Sequence, residues 1–208
     1  MSTDRKWVIV RIDGKIAAIS TDYRMLAKIS AEIARRCQDN TGKKRKGHKA
    51  NAGREGMYEE ISAKTVGFDE IWQLRKSVRW DDLLLFGTEF QIKVWRKLWD
   101  LTEKTGDTRP KLISYSDFAD LCENRAGVRA VAHAIGLNPV SVIIPCHLVI
   151  PKESIDKIRA IHKKAETTIF KGDDLCINSI LNDTSTDFGE YALGRTLKRE
   201  LIIKELSE

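Results

Sequence analysis

Two prolines, Pro139 and Pro145, bracket the uncharged run Val140–Ile144, and the second is followed at once by Cys146-His147. Proline has no backbone N–H and disfavours helix in the residue before it, so a helix arriving from upstream must stop near Asn138. The run between the prolines is rich in β-branched residues, which predicts a buried strand delivering a cysteine and a histidine to its end. A cysteine attacks as its thiolate, and a histidine neighbour can lower its pKa or remove its proton. By itself the pair is more simply explained as a buried thiol closing a core strand, because so short a pattern recurs by chance.

The chain upstream supplies a suitable helix. Asn124–Asn138 carries Val128, Val131, Ala132 and Ile135 on one stripe, with Arg125, Arg129 and His133 at four-residue steps on the other side. A shorter helix precedes it, with Ser116 as its candidate cap and Phe118, Leu121 and Cys122 as its apolar face. Two short helices, the second with a basic outer stripe, read as a helix-turn-helix. Further upstream, Thr88 and Gln91 have capping-box spacing ahead of a core helix bearing Phe90, Val94, Trp95, Leu98 and Leu101.

Trp7–Ser20 alternates around Asp13-Gly14, a strong two-residue hairpin signal. Asp22 can cap a following helix with the stripe Leu26, Ile29, Ile33 and Cys37. Phe68, Ile71, Trp72 and Leu74 have helical spacing, and Leu83–Phe86 is a closing strand or a linker. The domains expected are therefore a small α/β unit at 1–86 (hairpin or sheet plus helix) and a mainly α unit at 87–208. The stretch 41–56, with Lys43, Lys44, Arg45, Lys46, Lys49 and Arg54 among glycines, is a solvated basic loop or a supplementary phosphate contact.

Composition narrows the function classes. With 42% hydrophobic and 32% charged residues, the usage is that of a soluble globular protein. No apolar run approaches membrane-spanning length and the N-terminus has no signal-peptide core, so an intracellular location and no membrane partner are expected. That means cytoplasm in a bacterium and nucleus in a eukaryote. Cys37, Cys122, Cys146 and Cys176 are scattered without metal-ligand spacing, which reads as free thiols and no metal. A net charge of +6 suits a polyanionic partner without requiring one.

Arg129-Ala130-Val131-x-x-Ala134, then Asn138-Pro139, then Ile144-Pro145-Cys146-His147-x-Val149 resembles the O6-alkylguanine-DNA alkyltransferases (methylated-DNA–protein-cysteine methyltransferases). The resemblance covers Gly87–Val149 and resumes at Gly189–Glu205. It implies a winged-helix-like second domain whose helix-turn-helix enters the minor groove. The implied activity is DNA repair: a single-turnover transfer of an alkyl group, methyl above all, from O6 of guanine in double-stranded DNA to Cys146. O4-alkylthymine is a second candidate substrate. No cofactor is implied, and the protein is expected to act as a monomer. Alternatives from other classes are a lesion-binding protein that transfers nothing and a DNA-binding regulator.

The resemblance also assigns roles. Arg129 would fill the gap left by the flipped nucleotide, and Tyr115 would push its 3′ phosphate. Arg125 belongs to the same basic face, while Gly127 and Ala130 would let the helix approach DNA closely. Asn138 would tie that helix to the cysteine segment. His147 would relay the thiol proton through water, oriented by Glu205. Leu197, Leu201 and Glu205 fall on one face at four-residue spacing, and a carboxylate on an apolar stripe needs a partner. Tyr191 would donate to a guanine ring nitrogen, with backbone groups near Ala192 and of Val149 reading the base edge. Two departures stand out. Leu148 replaces the usual arginine, removing an ion pair and loosening the turn, and an insertion at 151–188 separates Cys146 from Tyr191. Within it Ser154–Lys164 has the helical stripe Ile155, Ile158 and Ile161.

Overall fold

A computed structural model describes residues 5–39, 60–102, 112–166 and 185–207. The basic loop at 41–56, Cys176 and the side chains of Ile33, Cys37 and Ile161 lie outside the described residues. The chain divides into two compact units, Met1–Arg96 with Leu137–Ile144, and Lys97–Gly136 with Pro145–Glu208.

In the first unit β1 (Trp7–Ile12) and β2 (Lys15–Ser20) form the hairpin predicted at Asp13-Gly14. Both turn residues have positive φ, 48° and 77°, matching the primed turns that suit the twist of paired strands. A third strand, β3 (Ile61–Val66), pairs antiparallel with the other side of β1, giving the sheet order β2-β1-β3. No signal in the sequence marked β3. Its residues Ile61–Thr65 are exposed and only Val66 is buried, so it lacks the alternation of a half-buried strand. Backbone pairing to β1 makes it a strand.

Helix α1 (Tyr23–Asp39) starts at Asp22, whose carboxylate accepts from Arg24 N at 2.8 Å. Its Ile29, Met25 and Leu26 pack with Ile12, Ala17 and Ala18 of the hairpin. Helix α2 (Phe68–Ser77) buries Phe68, Ile71 and Trp72, and Phe68 stacks in tilted fashion between Trp7 and Trp72 at 6.1 and 5.6 Å. Leu83–Phe86 is a linker, touching the sheet edge through a bridge between Leu83 and Ile16. Helix α3 (Glu89–Asp100) opens with the expected capping box: Thr88 N donates to Gln91 Oε1 at 2.8 Å and Gln91 N to Thr88 Oγ1 at 3.2 Å.

The strand predicted at Val140–Ile144 does not form. Backbone bonds from Ile19 N to Pro139 O and from Ser141 N to Ile19 O lay the chain against the outer edge of β2, with a single bridge at Val140. The chain then turns back, with Val142 at φ 74°, and Ile144 N donates to Val140 O at 3.0 Å. Asn138 explains the change. Its Oδ1 accepts from Val140 N at 3.0 Å and its Nδ2 donates to Ile144 O at 2.8 Å, giving the backbone a local alternative to a ladder. The prolines on either side cannot donate to a ladder either. The burial expected of this run does hold; every residue from Asn138 to Ile150 is buried.

The second unit holds β4 (Ile113–Ser114), α4 (Tyr115–Leu121), α5 (Val128–Gly136), β5 (Val149–Ile150), α6 (Lys152–Glu166) and α7 (Arg195–Leu206). Small sheets and a majority of helix therefore make up the described residues. The cap of α4 is Ser114, not Ser116: Ser114 Oγ accepts from Asp117 N, and Ser116 Oγ bonds to Ser114 Oγ instead. The helix expected over Asn124–Asn138 is shorter. Its first turn is a 3₁₀ turn at Arg125–Gly127, and it ends at Gly136 ahead of Asn138-Pro139. Among the described residues no helix is long and apolar enough to cross a membrane.

The capping box generates a direct stability prediction. Thr88→Ala removes the acceptor for Gln91 N and should cost about 1 kcal/mol, read as a lowered urea midpoint with an unchanged slope.

Candidate functional site: a buried cysteine, histidine and carboxylate

The site is built within the second unit by a two-residue parallel pairing. Ile113 pairs with Val149 and Ser114 with Ile150, which sets the start of α4 beside the end of the cysteine turn. Tyr115, the first residue of α4, comes directly after β4, so its position is set by that pairing. Cys146–Leu148 form a 3₁₀ turn after Pro145, closed by Leu148 N to Pro145 O at 3.0 Å. Cys146 is 6% exposed and His147 and Leu148 are fully buried. Leu148 fills its position with an apolar side chain inside the core, and the turn forms with it in place.

His147 Nε2 lies 2.7 Å from Glu205 Oε1. An ionised carboxylate only accepts, so with Glu205 ionised it is Nε2 that carries the proton of this bond. Glu205 belongs to α7, whose Leu197, Leu201 and Glu205 are buried together. The apolar stripe sinks the helix face, and the carboxylate it carries under meets the histidine. Cys146 Sγ lies 3.9 Å from Tyr191 Oη, and Tyr191 is half-buried in the loop before α7. Residues separated by 45 and 58 positions are thus brought to one turn.

Lys198 is the buried polar residue beside this turn that the sequence reading missed. It is fully buried, yet its Nζ donates to Val149 O at 2.8 Å, Glu190 O at 3.3 Å and Tyr115 Oη at 3.3 Å. Those acceptors match the N–H groups of an ammonium. Burial lowers its pKa to about 8, while the charge of Cys146, and then of Asp187 and Glu190, pulls it upward. The same environment raises the Tyr115 phenol, through burial first and then through Cys146, Glu190 and Asp187. The sequence carries only a faint signal: Lys198 adjoins Leu197, which lies on the apolar stripe of the same helix. Val149, expected to read a base edge, has its N–H bonded to Cys146 O and its carbonyl to Lys198.

The basic stripe stands outward. Arg125, Arg129, Ala130 and His133 are exposed, and Arg125 approaches Asp120 at 3.7 Å. Gly127 has a local reason beside any approach to a partner: a Cβ there would meet the Asn124 amide at 2.4 Å. Ala192 is exposed on the Tyr191 loop. Asn138 sits in the first unit and holds the carbonyl of Ile144, two residues before Cys146.

One turn thus carries a thiol beside a tyrosine hydroxyl, followed by a histidine bonded to a buried carboxylate. In the comparison with known proteins, residues 89–167 match the model of the 6-O-methylguanine DNA methyltransferase, DNA binding domain. A probable methylated-DNA–protein-cysteine methyltransferase of Acanthamoeba polyphaga mimivirus is 45% identical over 73 residues, 35% of this chain and 45% of that protein. The inducible methylated-DNA–protein-cysteine methyltransferase of Bacillus subtilis is 47% identical over 66 residues, 32% of this chain and 34% of that protein. The chain spans less than half the length of these relatives. A solved Mycobacterium tuberculosis OGT in complex with DNA superposes with TM-score 0.38 at 28% identity, covering 60% of this chain and 54% of that one.

Lys198 makes stability depend on pH in a defined direction. Between about pH 8 and the ordinary lysine value of 10.5, the unfolded chain holds a proton that the folded one lacks. Its contribution therefore rises with pH across that window and is lost as pH falls toward 8. Tyr115 opposes this only above its ordinary value of 10, where the folded state keeps the phenol proton longer. Urea midpoints measured from pH 8 to 10 should climb less steeply for Lys198→Met than for the unaltered protein.

Proposed function

We propose that this protein repairs DNA by moving an alkyl group from O6 of guanine to Cys146, once per molecule. The observation that carries the reading is the buried Cys146-His147 turn, inside the stretch 89–167 that matches the methyltransferase domain, with His147 bonded to Glu205 from the terminal helix. The Cys146 thiolate attacks the alkyl carbon; a C–S bond forms as the C–O6 bond breaks. The thiol proton leaves through water to His147 Nδ1 and reaches the departing base, so guanine is restored neutral. Glu205 stabilises the transient imidazolium. The thioether product does not leave, which makes the reaction stoichiometric.

Chemistry on a base requires taking it out of the stack. In this reading α4 and α5 are a helix-turn-helix of a winged-helix-like domain, applied to duplex DNA. Arg129 fills the gap behind the rotated nucleotide; its planar guanidinium can stack and donate inside the helix. Gly127 and Ala130 allow the close approach, and Arg125 adds a phosphate contact. Tyr115 presses the 3′ phosphate. Tyr191 caps the flipped base, with Ala192 beside it, and Asn138 keeps the cysteine segment in register with α5. O6-methylguanine in duplex DNA is the leading substrate and O4-alkylthymine the next, for a protein acting as a monomer inside the cell.

Intact-protein mass spectrometry after incubation with duplex DNA containing O6-methylguanine should show a single added methyl, mapped to Cys146. Cys146→Ala should take up none while still binding DNA. Arg129→Ala should weaken both binding and transfer, by about tenfold each. Lesion-selective binding with no adduct would instead support a damage sensor.

A further inference from the structure

The insertion between Cys146 and Tyr191 poses a positioning problem for the site. The chain leaves at Ile150, the end of β5, and returns to the pocket loop at Gly189. A loop hung from a long excursion is placed less well than one on a short turn, because closure entropy grows with length. Contacts near the base of the excursion offset that cost. Ser154 Oγ, on the first turn of α6, donates to the Asp187 carbonyl across 33 residues of sequence. One turn later, Lys157 Nζ donates to Ser185 Oγ at 2.9 Å across 28 residues. Ile155 and Ile158, each the residue after one of these donors, are buried with Phe188, Ile150 and Ile202 in one apolar cluster.

Past this clamp the chain is tightly routed. Gly189 N donates to Asp187 Oδ1 at 2.8 Å, and Gly189 passes over Pro151 at φ 81°. A Cβ there would approach Pro151 Cδ at 3.1 Å, so the loop is held against the very start of the insertion. Glu190 gives its carbonyl to Lys198, and Tyr191 reaches Cys146. The free span of the pocket loop is thereby cut to the few residues between Phe188 and α7.

We infer that α6 is part of the transfer site: Ser154 and Lys157 are positioning residues that hold the 185–190 segment, and so place Tyr191 over Cys146. This rests on the transfer reading above. The clamp acts after the base has entered the pocket, so it governs the first-order transfer step and not DNA affinity, which the outward face of α5 supplies.

The test uses the full chain, excess duplex DNA with O6-methylguanine, and quenched single-turnover transfer. For Ser154→Ala/Lys157→Ala the saturating rate should fall by about tenfold, with the half-saturating DNA concentration within about twofold of the parent. Lys157→Ala alone, a surface change that leaves the core intact, should fall in the same direction, and Lys157→Arg, which keeps a donor for Ser185, should transfer at the parent rate. Hydrogen exchange gives a readout independent of activity: amides of 186–193 should exchange about tenfold faster in the double variant, with α5 and α7 unchanged. An unchanged rate or unchanged loop exchange overturns the inference. So does a rate loss accompanied by loosening of α5 and α7, which is general destabilisation. A parent protein that transfers nothing, with the loop still loosened selectively in the variant, overturns the transfer reading and upholds the clamp.

Discussion

One buried ammonium joins most parts of the site. Lys198 Nζ binds the carbonyl just after the cysteine turn, the hydroxyl that begins α4 and the carbonyl that precedes Tyr191. An amine removed from water is costly unless its N–H groups are all taken, and here acceptors from three separate segments take them. The consequence is mutual. Without β5, α4 and the pocket loop in place the ammonium has no partners, and without it those backbone carbonyls face each other across an apolar interior. Its charge also sits within electrostatic reach of Cys146.

The second buried pair works by fixing orientation. His147 is fully enclosed and bonded to Glu205, so its ring cannot turn and its tautomer is set by the carboxylate. Buried polar pairs of this kind are weak evidence for stability, since both members lose hydration. They are better understood as a definition of geometry. The same economy appears in the chain before the cysteine, where Asn138 bonds both Val140 and Ile144 and Val142 is held at positive φ. A β-branched residue in that region is strained, and a fully buried turn holds it there.

Much of this was legible in the chain because it depended on local rules. The hairpin at Asp13-Gly14, the capping box at Thr88 and Gln91, the Asp22 cap and the apolar faces of α2, α3 and α7 arise from turn chemistry and periodicity. The errors arose where tertiary pairing overrode local preference. Val140–Ile144 has strand composition yet folds back, because an asparagine side chain and two prolines remove its ladder. β3 has no hydrophobic pattern yet is a strand, because β1 offers it an edge. The cap of α4 shifted from Ser116 to Ser114 because β4 ends there and sets the first helical residue.

By itself the sequence determined the chemistry on offer: a cysteine and histidine after Pro145, an outward basic stripe on α5, and a carboxylate on the buried face of α7. These are properties of residue type and spacing, which a helix or a turn expresses wherever it lies. Tertiary structure alone decided which groups meet. Lys198, an unremarked lysine in the chain, becomes a central donor because β5, α4 and the loop converge on it, and α6 becomes a brace because Ser154 and Lys157 find partners some thirty residues away. No local preference encodes such meetings; they exist only once the apolar faces have been buried and the chain has been closed around them.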